Sequence, residues 1–113
     1  MTELIRPALY QSYHKIENIS NLIPKAITVQ SPNLKYDIVG PICETGDFLA
    51  LDRTLPPLQA GDLVWVGVCG AYGSTMACNY NSRNRAAEVM VEGSKPVLIR
   101  RRETLEEICA TEL

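Results

Sequence analysis

The sequence predicts a mainly β fold, a small barrel or sandwich interrupted by two short helices. Three observations carry that prediction. Proline and glycine break the chain at short intervals: Pro24, Pro32, Gly40-Pro41, Gly46, Pro56-Pro57, Gly61, Gly70, Gly73, Gly93 and Pro96. The runs between them are short and β-like, at a spacing that argues a sandwich or barrel over βαβ units. The length, 113 residues, fits one domain (residues 1–113) and leaves no room for two.

In chain order, Tyr13 to Ile19 alternates apolar and polar residues, and Ala26 to Val29 is a short apolar run. Lys35 to Val39 and Phe48 to Asp52 read as strands. Leu63 to Cys69 is almost continuously apolar, which predicts a strand buried on both faces. A short helix is expected near residues 74–80, after a glycine turn. Ala86 to Val91 and Pro96 to Arg100 flank Glu92-Gly93-Ser94-Lys95, the pattern of a hairpin. A second helix is expected near 103–110, with Leu105, Ile108 and Cys109 on one face and Glu106 and Glu107 outside. There is no internal repeat and no low-complexity segment.

Composition excludes several classes of function. With 46% hydrophobic and 21% charged residues the chain is ordinary for a globular domain, and its size allows a real core. A net charge of −2 argues against a nucleic-acid binder. The basic run Arg100-Arg101-Arg102 precedes Glu103, Glu106 and Glu107 and reads as a solvated strand end entering a capped helix. No apolar stretch is long enough for a membrane span, and Met1-Thr2-Glu3-Leu4 does not open like a signal peptide, so the expected location is the cytosol or an organelle. Cys43, Cys69, Cys78 and Cys109 show no CxxC spacing, and His14 is the sole histidine, so thiols are expected and a metal site is not. Cys69 and Cys109 lie in apolar patterns and read as buried.

Three places carry polar residues beyond turn or core duty. In Arg6-Pro7-Ala8-Leu9-Tyr10, Arg6 and Tyr10 share a face whether the segment is strand or helical turn. A guanidinium and a phenol aimed together suit a carboxylate, although the spacing equally allows a surface arginine beside a core tyrosine. In Gly40-Pro41-Ile42-Cys43-Glu44-Thr45-Gly46-Asp47, a tight turn carries a thiol and a carboxylate at its tip. An adjacent carboxylate raises a thiol pKa, which favours a protonated donor, and the alternative is an incidental loop cysteine. Gly70-Ala71-Tyr72-Gly73-Ser74 leaves a strand and opens the expected helix, whose N-terminus would favour an anion such as phosphate. It lacks the P-loop pattern, and a plain strand-to-helix turn explains it as well.

The strings Leu4 through Tyr10, Gly40 through Asp47, Gly70-Ala71-Tyr72-Gly73 through Met76-Ala77, Asn79-Tyr80-Asn81-Ser82-Arg83, Ala87-Glu88-Val89 and Ile99 through Thr104 together resemble the diaminopimelate decarboxylases. The resemblance runs almost end to end and covers only the C-terminal β domain of that family. It implies the β-barrel or sandwich-like domain of the alanine-racemase-type decarboxylases. It also implies an N-terminal (β/α)₈ barrel, absent from this chain, that carries the lysine for pyridoxal 5'-phosphate. Members are cytoplasmic, or in the plastid stroma in plants and algae, and work as homodimers whose sites use residues of both subunits. The implied activity converts meso-2,6-diaminopimelate to L-lysine and carbon dioxide, a cofactor-dependent lyase reaction for which this chain alone is expected to be inactive.

Residue by residue, the resemblance makes Arg6 and Tyr10 the holders of the distal substrate carboxylate. Glu44 reads the distal ammonium from the partner subunit. Cys43 is the partner's thiol and the implied proton donor after decarboxylation, and Tyr72 touches substrate and the phosphate end of the cofactor. The protein then mainly supplies orientation and a proton, and pairing both charged ends of the substrate rejects shorter analogues. Related ornithine-type decarboxylases also carry a cysteine in this turn, but Arg6 with Tyr10 and Cys43-Glu44-Thr45-Gly46 favour the diaminopimelate branch.

The sequence departs from the family in three ways. Lys15, Lys25, Lys35 and Lys95 lie in no cofactor-lysine context, the stretch from Ile19 to Lys35 is long, and Asn84 replaces the usual proline between Arg83 and Arg85. The competing expectation is a non-catalytic β module that pairs with a full-length relative, and a chance resemblance of an unrelated small barrel is a third. Retention of Arg6, Tyr10, Cys43, Glu44 and Tyr72 together speaks against the module, which has no physical need for all five. An isolated β domain is expected to expose an apolar face and to self-associate.

Overall fold

The computed structural model describes residues 1–20 and 32–113. The apolar run Ala26 to Val29, and most of the long stretch from Ile19 to Lys35, lie outside the described residues. The elements are α1 (Arg6–Tyr10), β1 (Ile16–Asn18), β2 (Leu34–Val39), β3 (Phe48–Leu55), β4 (Val64–Val66), β5 (Glu88–Glu92), β6 (Lys95–Arg100) and α2 (Leu105–Ile108). The strands pair antiparallel as β1–β4, β2–β3 and β5–β6, so the mainly β expectation holds.

Pro7 opens α1, where its fixed φ is preorganised and its missing N–H costs nothing. Gln11 ends the helix in a left-handed conformation after one turn. From there the chain enters β1, paired Ile16 to Val66 and Asn18 to Val64. Bonds from Gly67 N to Lys15 O (2.8 Å) and Ile19 N to Leu63 O (2.9 Å) extend this ladder at both ends. β3 carries extra residues against β2, with register shifts around Ile38 and Asp52 at φ 52°. Such bulges bend a strand, and here the Asp52 N–H is satisfied by the Asp37 carboxylate at 2.8 Å. The bend helps wrap β2–β3 over β1–β4, and Ile16, Ala50 and Leu55 form the core between them, flanked by Tyr36, Ile38, Leu49, Leu58 and Val66. The expected hairpin is present as β5–β6, with Gly93 at φ 63° at the first central position of its turn.

Three expectations need correction. Residues 74–80 are not a helix: 71–76 is a run of turns, followed by a single 3-10 turn at Tyr80–Ser82. Competing partners explain the loss. The Thr75 hydroxyl takes the Ala71 carbonyl (3.2 Å), Cys78 N–H goes to Thr2 O (3.0 Å), and the Ser74 hydroxyl is drawn to Glu88. Second, the apolar strand is not buried on both faces, since Trp65 is 44% and Val68 83% exposed. β2–β3 covers one side of it, where Val66 packs against the core of Ile16, Ala50 and Leu55, and no described element covers the other. Third, the core is small: among the described residues Leu4, Pro7, Ile16, Ile42, Ala50 and Leu55 are the buried apolar side chains, while Val91, Leu98 and Ile99 of the hairpin face solvent.

At the C-terminal end, Thr104 caps α2 and forms a reciprocal capping box with Glu107. Arg101 pairs with Glu107 and, with the Thr104 N–H, holds its carboxyl down to about 2. The expected solvated strand end and capped helix are therefore both present, although the helix is four residues long.

The turn between β2 and β3 is built around a buried acid. Asp47 is 4% exposed, and its Oδ2 accepts the Ile42 N–H at 2.7 Å while its Oδ1 meets the α-amino group of Met1. Gly40 N–H donates to Asp47 O at 2.8 Å, and a Cβ at Gly40 would overlap the Asp47 carboxylate. Burial pushes the Asp47 carboxyl up, but the α-amino group, the Ile42 N–H and Arg83 outweigh it and hold it below its ordinary value.

Two predictions follow from this turn. Gly40→Ala should cost about 2–4 kcal/mol in urea unfolding, because the carboxylate can move aside only by leaving Ile42. Gly70→Ala, whose Cβ meets nothing within 4 Å, should stay within about 0.5 kcal/mol of the parent. Because the folded pKa of Asp47 is depressed, its stabilisation is complete above the ordinary aspartate range and lost as pH falls through the lower folded value. The urea midpoint should therefore drop more steeply with acid in the parent than in Asp47→Asn.

Candidate functional site

α1 resolves the choice the spacing left open: Arg6 and Tyr10 lie one helical turn apart. Together with Tyr72 and Met76 they line an open cavity of about 270 Å³. The Arg6 guanidinium sits 5.2 Å from the centre of the Tyr72 ring, a cation–π contact between two residues of the cavity wall. The Tyr10 and Tyr72 side chains are both more than half exposed beside it. A planar cation and two phenols around a shallow space suit a carboxylate or phosphate.

The 70–73 segment gets Tyr72 there by close packing. Gly73 is buried and donates its N–H to Cys69 O at 2.7 Å, and a Cβ on it would lie 2.5 Å from that same oxygen. Gly70 instead borders open space. The expected helix N-terminus is absent, so an anion here would rest on Arg6 and the phenols. Upstream, His14 is 1% exposed and its Nδ1 donates to Gly67 O at 3.0 Å, which fixes the tautomer because a carbonyl only accepts. It ties α1's exit to the end of β4, three residues before Gly70. Cys69 Sγ lies 3.8 Å from the same nitrogen, and burial pushes its thiol up against the opposing field of Arg6.

Cys43 and Glu44 do not line this cavity. Both are exposed on the turn between β2 and β3, where Glu44 Oε1 accepts from Thr45 Oγ1 and Gly46 N–H, each at 3.2 Å. Gly46 abuts Ala8, with a Cβ–Cβ separation of 3.6 Å were it an alanine. At about 100° per residue, Ala8 points to the side of α1 opposite Arg6 and Tyr10. The structure thus brings Arg6, Tyr10 and Tyr72 together and sets Cys43 and Glu44 across the helix from them.

Sequence reasoning missed Met76, His14, Asn81 and Glu103. His14 had a signal, because the alternation from Tyr13 to Ile19 puts it on the same face as buried Ile16. Met76, Asn81 and Glu103 had none beyond membership in the quoted strings. The four cysteines are unbridged; Cys69 and Cys109 are half-buried where full burial was expected, and no metal-binding cluster exists among the described residues. Burial raises the Cys109 thiol, reinforced by Glu112. A larger cavity of about 340 Å³ lies between the Tyr72 segment and β5–β6, lined by Cys69, Gly73, Val89 and Ile99 among others. It contains none of the five expected site residues. No described helix is long and apolar enough to cross a membrane.

The chain is similar to known proteins in sequence and in fold. Residues 1–70 match the family described as pyridoxal-dependent decarboxylase, C-terminal sheet domain. The chain is 56% identical over 113 residues to the diaminopimelate decarboxylase of Neisseria meningitidis serogroup A, covering all of this chain and 26% of that protein. It is 52% identical over 112 residues to that of Vibrio cholerae, covering 99% of this chain and 25% of the relative. Among solved structures, the M. jannaschii diaminopimelate decarboxylase in complex with L-lysine superposes with a TM-score of 0.86 at 34% identity, over 100% of this chain and 24% of that one. The Helicobacter pylori diaminopimelate decarboxylase complexed with L-lysine gives 0.84 at 38% identity, over 99% and 26%. The chain spans about a quarter of the length of the relatives it matches. By sequence pattern, sequence identity and fold alike, it belongs to the C-terminal sheet domain family of the pyridoxal-dependent decarboxylases.

Proposed function

We propose that this chain is the C-terminal part of a diaminopimelate decarboxylase, inactive alone and active when joined to a cofactor-bearing barrel in a homodimer. The observation that carries the reading is the opposition across α1: a carboxylate clamp on one side, a thiol and a carboxylate on the other. One small substrate cannot touch both faces of a single chain. Two copies related by a twofold axis can each offer the clamp to one site and Cys43 with Glu44 to the other.

The residues around the cavity fit pyridoxal phosphate at its edge. Tyr72 would meet the phosphate end. When bound, the cofactor supplies the electron sink for decarboxylation. The chain's own residues do the rest. Arg6 and Tyr10 hold the distal carboxylate, and the Tyr72 ring contacts the Arg6 guanidinium. Glu44 pairs with the distal ammonium. Cys43 holds a proton at Sγ and delivers it to the carbon that carried the departing carboxylate. A substrate lacking the distal charges leaves Arg6 and Glu44 unpaired, which gives selectivity.

The uncovered apolar surfaces of β4 and β5–β6 fit the same reading, because the barrel would cover them. The chain alone should self-associate in light scattering. Mixed with a separately produced barrel half, pyridoxal phosphate and meso-diaminopimelate, it should form lysine, whereas neither half alone does. Arg6→Ala should lower kcat/KM by about 100-fold or more, chiefly through KM. Cys43→Ala should lower kcat by about 100-fold with KM little changed. Undiminished turnover with either variant, or turnover by the barrel half alone, would sink the assignment.

A further inference from the structure

We propose that Asn81 is a positioning residue for the Cys43 thiol, which rests on the reading of Cys43 as the proton donor. The Asn81 side-chain amide donates to Cys43 Sγ at 3.8 Å, bridging two turns 38 residues apart in the chain. An N–H aimed at sulfur makes the sulfur an acceptor on that side. Its own S–H is then left to point elsewhere, and the thiolate that remains after transfer is stabilised. In the transfer the S–H bond breaks and a C–H bond forms on the electron pair left by carbon dioxide. The sulfur keeps its electron pair as a thiolate, which water reprotonates.

The segment carrying Asn81 is held for this placement. Asn81 and Ser82 both take left-handed backbone, at φ 55° and 54°. Consecutive non-glycine residues there persist only under outside support. Glu103 provides it: its carboxylate accepts from Arg85 N–H (2.9 Å), the Asn79 amide and the Arg85 guanidinium. Those donors hold the Glu103 carboxyl below its ordinary value, led by the Arg85 N–H. The Asn84 amide adds a bond to Glu103 O at 2.9 Å, and Asn79 also donates to Arg83 O at 3.0 Å. Where relatives were expected to carry proline, Asn84 therefore works as a tie.

The charged groups nearby are engaged with other partners. Glu44 accepts from Thr45 and Gly46, Arg83 pairs with Glu3 at 3.2 Å, and Asp47 holds Ile42 N–H. Among the described residues, Asn81 is the side chain that donates to the sulfur.

The test is iodoacetamide alkylation of the full chain, followed cysteine by cysteine through peptide mass mapping, alone and assembled with its barrel half. Asn81→Gly keeps the left-handed backbone without its side chain, and Asn81→Asp puts a carboxylate against the sulfur. Both should slow Cys43 alkylation near neutral pH, by about threefold to tenfold, with Asp the slower. Cys69, Cys78 and Cys109 should keep their rates. An unchanged Cys43 rate in both variants overturns the proposal. So does a joint rise at all four cysteines in both, which would make Asn81 a support for the fold alone. The readout needs no turnover: if Cys43 responds to Asn81 but Cys43→Ala retains lysine formation, the proton-donor role fails and the Asn81 contact stands.

Discussion

The buried Asp47 carboxylate is the constraint on which the presentation of the site depends. It replaces the missing interior of the turn between β2 and β3, taking the Ile42 N–H where a loop this short has no backbone acceptor to offer. Gly40 is the space it occupies. With the base of the turn closed, Cys43 and Glu44 project at its tip and Gly46 rests on Ala8 of α1. α1 in turn fixes where Arg6 points, so the direction of the clamp and that of the thiol are set by one packed contact.

The same device recurs twice. His14 bonds Gly67 ahead of the segment bearing Tyr72, and Glu103 gathers Asn79, Asn84 and Arg85 around the segment bearing Asn81. Each loop that carries a proposed site residue is thus anchored by a polar side chain, Asp47 from within its own turn and His14 and Glu103 from outside the segments they hold. Apolar packing could not do this work, because the core of Ile16, Ala50 and Leu55 lies between the first two sheets and reaches none of these loops. Directional bonds fix a loop's position with few atoms, at the cost of being sensitive to any single substitution.

What was legible in the sequence divides along the same line. Local rules found β2, β3, the β5–β6 hairpin with Gly93, and a capped helix after the basic run, because period, turn chemistry and capping are decided by neighbours. They placed Arg6 and Tyr10 on one face, and the family resemblance added Tyr72. The helix at 74–80 was misread because Ser74 and Cys78 bond to partners that local rules do not see, Glu88 and Thr2. Asn81 and Glu103 were invisible as a pair, since only the fold brings residue 81 to residue 43 and residue 103 to residue 79.

The misjudged burial of Leu63 to Cys69 has a different origin. The reading of two apolar faces was sound, and Leu63, Val64, Trp65 and Val68 are exposed because no described element lies over them. A strand with this composition is stable against solvent only when both faces are covered. Its apolar surplus, together with Val91, Leu98 and Ile99, is hydrophobic free energy that this chain can realise only on contact. On the proposed reading, folding of this domain, docking of the barrel and pairing of subunits are then thermodynamically linked, each stabilising the others by mass action. The clamp on one face of α1 and the thiol on the other would become a site through that same association. Separation of the parts would remove stability and activity together.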